Sequence, residues 1–277
     1  VTLNPDQLAT SKQDLAKSLK NMRDRAGLTG VRLARLCNMS QSKVSKIETG
    51  RIEPSLTDVE CILRALKASS DEIQEVLTLA RLASTEWQDK RSSWRRGTEK
   101  RQAELAALEA GASRLRYFLP SMITGLLATP EYVTASLAHT PGDPGKTAAR
   151  KIERQAILSD SSKQFTFLLT EQAIRWALVP PAVMAAQIDR LDFLSRRQNI
   201  RLGVIMNGTP LSRGPMNTFT VYDERLVTAE MFTGRMVFQD PRDVRQHLDI
   251  FSLFEQGAAF GQEARDRLDG WSSGYRT

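Results

Sequence analysis

The segment Ser40–Gly50, Ser-Gln-Ser-Lys-Val-Ser-Lys-Ile-Glu-Thr-Gly, carries the most specific chemistry in this 277-residue chain. At about 100° of turn per helical residue, Val44 and Ile47 fall on one apolar side, and Gln41, Ser42, Ser45 and Lys46 on the opposite one. That outward face is short, polar and cationic, with no acid before Glu48. An α-helix just fits the major groove of DNA, its first residues nearest the base edges. There Gln41 can bond adenine bidentately, Lys43 and Lys46 can reach phosphate or guanine, and the small Ser42 and Ser45 let the backbone approach. Thr29 caps the preceding helix, whose N-terminus can point at a phosphate. With Ser40 as cap and Arg51 in the loop beyond, the candidate DNA-binding set is Thr29, Ser40, Gln41, Ser42, Lys43, Ser45, Lys46 and Arg51.

The elements that must position this face read as short helices with short connections. Thr10 or Ser11 can cap a first helix from Lys12 to Ala26, with Asp14 placed as in a capping box. Leu15, Leu19 and Met22 form its apolar stripe, and Gly27 ends it. A second helix from Thr29 turns Leu33, Ala34 and Cys37 inward, and Asn38, tolerant of left-handed backbone, follows. The third ends near Glu48 and is broken by Thr49-Gly50. Ser55 or Thr57 caps a fourth, carrying Val59, Ile62, Leu63 and Leu66. Ser69 or Ser70 caps a fifth, with Ile73, Val76 and Leu77. Cys37 and Cys61, the only cysteines, fit neither a disulfide framework nor a zinc site and read as small core residues of a reducing cytoplasm.

The turn, the caps and the core spacing together resemble the helix-turn-helix of the lambda-repressor-like Xre/Cro family over residues 12 to 80. The resemblance rests on Leu33-Ala34, Ser40, Val44-Ser45, Ile47-Glu48, Gly50 and Pro54-Ser55. It implies a sequence-specific DNA-binding transcriptional regulator, with the helix 41–48 in the major groove. Homodimers are expected, because two such helices must meet half-sites about 34 Å apart. The family often has Gln at the first turn of the second helix; Gly30 stands there instead, forfeits a contact and loosens the helix start.

Charge is uneven. Of the net +7, residues 81–116 carry +4, residues 1–80 carry +2 and residues 117–277 carry +1. The middle stretch, with Trp87, Trp94, Leu105 and Leu108 among Arg91, Arg95, Arg96, Lys100 and Arg101, reads as a basic, largely helical connector. Beyond it come an apolar patch at Met122, Ile123, Leu126 and Leu127, a loop at Pro141–Gly145, and an amphipathic stretch at Lys146–Leu158. Strands are expected at Phe165–Leu169 and Ile200–Met206, with a helix at Ala182–Arg197 between them. An antiparallel meander is expected at Phe219–Tyr222, Leu226–Phe232 and Met236–Phe238, then a helix or helix pair from Asp240 to Leu268. The expected fold is thus multidomain. An all-α five-helix domain (1–80) and the connector (81–116) precede an α+β domain (117–277) with a small, mostly antiparallel sheet.

The second half resembles the domain of unknown function found C-terminal to Xre-type domains in actinobacterial, antitoxin-like regulators. The blocks that carry the likeness are Leu108-Glu109, Thr124–Tyr132, Arg154–Leu158, Thr170–Arg175, Met184–Leu191 and Gly214–Phe219. The domain itself is expected to dimerise and to receive a signal. The likeness implies regulators often encoded beside a small protein partner, some of the pairs behaving as toxin and antitoxin. As an alternative main role, it implies neutralising a small protein encoded by an adjacent gene, with DNA binding serving autoregulation. No enzyme is expected: His139 and His247 stand alone, no nucleophile elbow, zinc helix or phosphate loop is present, and Glu171 and Glu230 read as a helix N-terminal acid and a sheet-edge charge. Gly203 reads as a packing glycine. No cofactor, metal, signal peptide or membrane segment is expected, and the location is read as cytoplasmic. Two sensing surfaces are conceivable: a small-ligand pocket lined by Phe165, Phe167, Trp176 and Phe219, or a protein-binding apolar surface at Met122–Leu127.

Overall fold

The computed structural model describes residues 5–52, 54–89, 98–139, 143–232 and 234–277. Among them the chain divides into two units between Glu86 and Trp87, apart from Phe238–Asp240, which group with the first.

The first unit contains α1 (Pro5–Arg25), α2 (Gly30–Leu36), α3 (Gln41–Glu48), α4 (Leu56–Ala65) and α5 (Ser70–Ser84). Leu15, Leu19, Leu33, Val44, Ile47, Val59, Ile62, Leu63 and Val76 are its buried centre. The first helix begins at Pro5 and not at Lys12, so Thr10 and Ser11 lie inside it. Proline supplies helical φ without needing an N–H partner, so it suits the first helical position. Cys37 and Cys61 are free thiols, with Cys61 Sγ 3.7 Å from the Cys37 carbonyl oxygen. Burial, chiefly, pushes the Cys37 thiol up to about 12, with Cys61 beside it adding to the shift.

Strand β1 (Thr85–Asp89) lies at the division. The second unit continues with α6 (Thr98–Gly111), β2 (Arg114–Leu119), α7 (Pro130–Ser136), α8 (Pro144–Arg154) and a 3-10 turn at Gln155–Ser159. Then come β3 (Gln164–Thr170), α9 (Glu171–Arg175), α10 (Pro181–Ser195), β4 (Ile200–Ile205) and the hairpins β5 (Phe219–Tyr222), β6 (Leu226–Glu230) and β7 (Gly234–Phe238). The unit closes with α11 (Pro241–Gln256), the two-residue β8 (Ala258–Ala259) and α12 (Gly261–Gly274).

One expectation needs correction here, and it concerns the sheet. Within the stretch 81–116, α5 ends at Ser84, Thr85–Asp89 is extended and Thr98–Gly111 is helical, and α6 and β2 group with the second unit. Arg91, Trp94, Arg95 and Arg96 lie outside the described residues. The sheet, ordered β7-β6-β5-β2-β3-β4-β8, is mixed and not mostly antiparallel. Strand β2 pairs in parallel with β3, and β3 with β4, while β2–β5, β5–β6 and β4–β8 are antiparallel. The physical reason is β2 itself. Its sequence, Arg-Leu-Arg-Tyr-Phe-Leu, inserts a central strand whose chain must cross through α7 and α8 before it can be joined in parallel by β3. A smaller difference is at Pro141–Gly145, where α8 already begins at Pro144, capped by the Asp143 carboxylate accepting from the Gly145 and Lys146 amides.

Side chains alternate across this sheet. Leu115, Tyr117, Leu119, Phe165, Phe167, Leu169, Leu202 and Val204 form one buried layer with Met184, Ile188 and Leu191 of α10 and Ala264 and Leu268 of α12. On the other side Phe118 stacks on Phe254 of α11 with centroids 4.3 Å apart and leans on Phe219 at 5.3 Å. Most of the loop after β2 is interior too: Ile123, Leu126 and Leu127 of the patch expected as a docking surface are buried, and Met122 is 40% exposed. Its carbonyls are satisfied by side chains. Gln155 Nε2 donates to the Gly125 and Ala128 oxygens, and Gln187 Nε2 to Leu127, while Gln187 Oε1 accepts from the Thr129 amide.

Gly203 is a packing glycine as expected. A Cβ there would sit 2.6 Å from the Phe260 ring and 2.8 Å from Leu168 Cδ2. Overpacking of this kind costs about 1–3 kcal/mol, so Gly203→Ala should lower the midpoint of thermal unfolding. An unchanged melt would show that the ring yields freely.

Candidate nucleic-acid interface

The geometry of α3 is built from its ends inward. The turn before it leaves α2 through Asn38 at φ 51°, with Asn38 N–H donating to the Arg35 oxygen and Met39 N–H to Ala34. This pairing recaptures carbonyls that a helix end orphans. The same arrangement closes α1 through Gly27 at φ 65° and α3 through Gly50 at φ 67°. At the N-termini, Thr29 Oγ1 accepts from the Arg32 amide at 3.2 Å and Ser40 Oγ from the Lys43 amide at 3.1 Å. Both hydroxyls accept in these caps, so each O–H remains able to donate outward. Ser55 and Asp58 form a reciprocal capping box on α4, and Ser69 with Glu72 does the same before α5.

Val44 and Ile47 are buried, whereas Gln41, Ser42, Ser45 and Lys46 are exposed along one side of α3. Thr29, Ser40 and Arg51 are exposed as well, with Arg51 drawn back to the helix end by its amide donating to the Lys46 carbonyl at 2.9 Å. Lys43 differs from the rest of the expected set. Its ammonium lies 2.8 Å from the Asp58 carboxylate, and its side chain is 41% exposed, so a phosphate would have to compete with Asp58 for it. Burial works to raise the Asp58 pKa, but hydrogen bonds from Lys43 and Ser55 outweigh it and hold the carboxyl below its ordinary range.

Arg23 and Glu48 are the positioning residues that spacing does not reveal. Arg23 donates through Nε to Glu48 Oε1 at 2.7 Å and through one terminal nitrogen to Oε2 at 2.9 Å. Its other terminal nitrogen donates to the Leu28 carbonyl at 2.8 Å and to Asp24. The pair is 12% and 10% exposed, so it is largely shielded from water. The only sequence signal was an acid ending an otherwise cationic helix. Gly30 has ordinary backbone and nothing within 4 Å of where a Cβ would stand.

The acids watched in the second unit have structural surroundings. Glu171 opens α9 and accepts from Arg175 and from the Asn207 amide; Glu230 caps the edge of β6, its amide donating to the Thr218 carbonyl. His139 is exposed, and His247 Nδ1 lies 2.7 Å from the Asp243 carbonyl oxygen. The four residues expected to line one pocket do not share one. Phe165 and Phe167 are core on one sheet face, Phe219 packs with Phe118, and Trp176 is 55% exposed. Among the described residues no three metal-type ligands cluster, and no helix is long and apolar enough to cross a membrane.

Removing one partner of a shielded ion pair leaves the other uncompensated, at a cost of about 3 kcal/mol or more. Arg23→Met and Glu48→Gln should each lower the urea midpoint of the first unit's unfolding, followed by circular dichroism. The Lys43–Asp58 pair adds an acid-side effect. A carboxyl with a lowered folded pKa stabilises above its unfolded value, about 3.9, and that stability is lost as pH falls through the folded value. Lys43→Met should therefore flatten the acid limb of the stability curve; an unchanged limb would place the acid sensitivity elsewhere.

The first unit matches the family model described as Helix-turn-helix domain, over residues 14–76. Among curated proteins none matches the chain. Two solved structures are similar at low identity. One is a phospholipase D family member, Nuc, from Salmonella typhimurium (11% identity, 58% of this chain and 90% of that one, TM-score 0.34). The other is TrmBL2, an archaeal chromatin protein (12% identity, 73% and 66%, TM-score 0.30). A second family model matches residues 102–270, more than half of the chain, and the chain therefore belongs to the family described as Domain of unknown function (DUF5753), joined here to a helix-turn-helix domain.

Proposed function

We propose that this protein is a cytoplasmic transcriptional regulator of the Xre/Cro kind, in which α3 docks in the major groove and reads sequence. The observation that carries the reading is the face of α3, where Gln41, Ser42, Ser45 and Lys46 are exposed together while Val44 and Ile47 anchor the helix from behind. Gln41 is assigned to a base edge, Lys46 and Arg51 to the phosphate backbone, and Ser42 and Ser45 to close approach. Thr29 and Ser40 lend their O–H groups to phosphates, and Lys43 joins once a phosphate replaces Asp58. A homodimer would bring two copies of α3 to half-sites about one helical turn apart. The second unit is assigned no catalytic role; it receives a signal that favours one DNA-binding state over another. Of the surface expected to bind a protein, Ile123, Leu126 and Leu127 are interior and Met122 is 40% exposed.

The test is fluorescence polarisation of the full chain against DNA from its own upstream region and a scrambled control, across a salt series. Tighter binding to the native sequence is expected. Gln41→Ala should cost about 1–3 kcal/mol on that sequence alone. Lys46→Ala should weaken binding to both and reduce the log–log salt slope by about 0.9. Gly30→Gln, which fits its site, should strengthen α2 by about 0.5–1 kcal/mol and tighten binding. Equal specificity ratios for the parent and Gln41→Ala would remove the base-reading role.

A further inference from the structure

Helices α6 and α8 of the second unit enclose a groove of about 700 Å³, lined by Gln102, Ala103, Ala106, Glu109, Ala110, Arg150, Glu153, Arg154 and Ile157. That volume lies within the usual range for small-molecule sites, about 300–1,000 Å³. Its α6 wall is floored by three alanines, which leaves room where longer side chains would close it.

The polar groups are unusual for a solvated helix seam. Glu109 is 1% exposed and Arg154 10%, with Arg154 Nε 2.8 Å from Glu109 Oε2, yet neither of these two atoms makes an aligned hydrogen bond. Glu109 Oε1 accepts from the Tyr117 hydroxyl at 3.1 Å, and Arg154 donates through one terminal nitrogen to Gln102. The second terminal nitrogen of Arg154 has no partner among the described residues and is not among the buried atoms, so it retains a donor accessible to solvent. One helical turn earlier, Arg150 is held only by a surface pair with Glu153, at side-chain exposures of 57% and 69%. Such a pair is weak and easily exchanged.

From this placement we infer that the groove binds a small amphipathic anion, a carboxylate or sulfonate on an apolar body, with Arg154 and Arg150 at its charged end and Ala103, Ala106 and Ala110 against the body. A cationic ligand fits less well. It would have only Glu153, which is surface-exposed and paired with Arg150, because Glu109 is enclosed and already faces Arg154; an anion would meet two arginines, one of which keeps a donor with no partner among the described residues. The inference deepens the reading of the second unit as signal receiver, and binding can be measured without DNA.

The probe is 8-anilinonaphthalene-1-sulfonate titrated into the full chain by fluorescence. One saturable site per chain is expected. Ala106→Trp should abolish it by filling the floor, and Arg150→Glu, an exposed change that spares the fold, should weaken it at least fivefold. The uncharged N-phenyl-1-naphthylamine should bind at least fivefold more weakly than the sulfonate. Absence of a saturable site, affinities within twofold of the parent in Arg150→Glu, or equal affinity for the uncharged probe would each overturn the proposal. Polarisation on the upstream DNA with and without the sulfonate is a separate readout: a site that fills without changing DNA affinity would retain the groove and remove its role as signal receiver.

Discussion

The bidentate pair between Arg23 and Glu48 is the constraint on which the first unit's geometry depends. An eight-residue helix such as α3 has too few internal hydrogen bonds to persist alone. Val44 and Ile47 bury one side of it, but apolar contact is non-directional and tolerates sliding. The guanidinium fork admits one orientation of a carboxylate. Because the same arginine also holds the Leu28 carbonyl, the end of α1, the entry to α2 and the end of α3 share a single anchor. The exposed row from Gln41 to Lys46 is thereby presented at one rotation of the helix.

The second unit solves a different problem, that of an interior loop. The segment between β2 and α7 places carbonyls of Gly125, Leu127 and Ala128 beside buried leucines, where unpaired oxygens are costly. Gln155 and Gln187 supply the missing donors, and Arg190 donates to both the Leu127 carbonyl and the Gln155 amide oxygen. These residues come from two separate stretches of sequence, the turn after α8 and the helix α10, so the loop is held by the elements that cover it.

Much of the first unit was legible because its punctuation is local. Asn38, Gly27 and Gly50 announce left-handed turns, Ser40, Ser55 and Ser69 announce helix starts, and the apolar positions fall at helical spacing. What was not legible was long-range. Arg23 and Asp58 look like ordinary surface charges until the fold brings them to Glu48 and Lys43. Lys67 adopts a left-handed conformation at φ 53° with no compositional sign of it. In the second unit β2 was hidden by Arg114 and Arg116, which make a central strand resemble the basic helix before it. Missing that strand hid both parallel pairings and gave the sheet the wrong character. The exposed face of α3 was legible in full; the partial capture of Lys43 by Asp58 was not, since no spacing rule links residues in different helices.

The order in which core residues occur along the chain differs between the two halves, and this bears on synthesis. Among the described residues the first unit's core draws on residues 15–80, so a growing chain can close it early. The larger core spans residues 112–268 and is completed by Ala264 and Leu268 packing beside α10 and β4. Until that last helix leaves the ribosome, the layer on one face of the central strands lacks its cover and a folded second unit cannot close. A nascent chain therefore passes through a stage in which the helix-turn-helix half is already built while the half joined to it is still open, and the interval between them is set by the time needed to translate the whole sheet and its final helix.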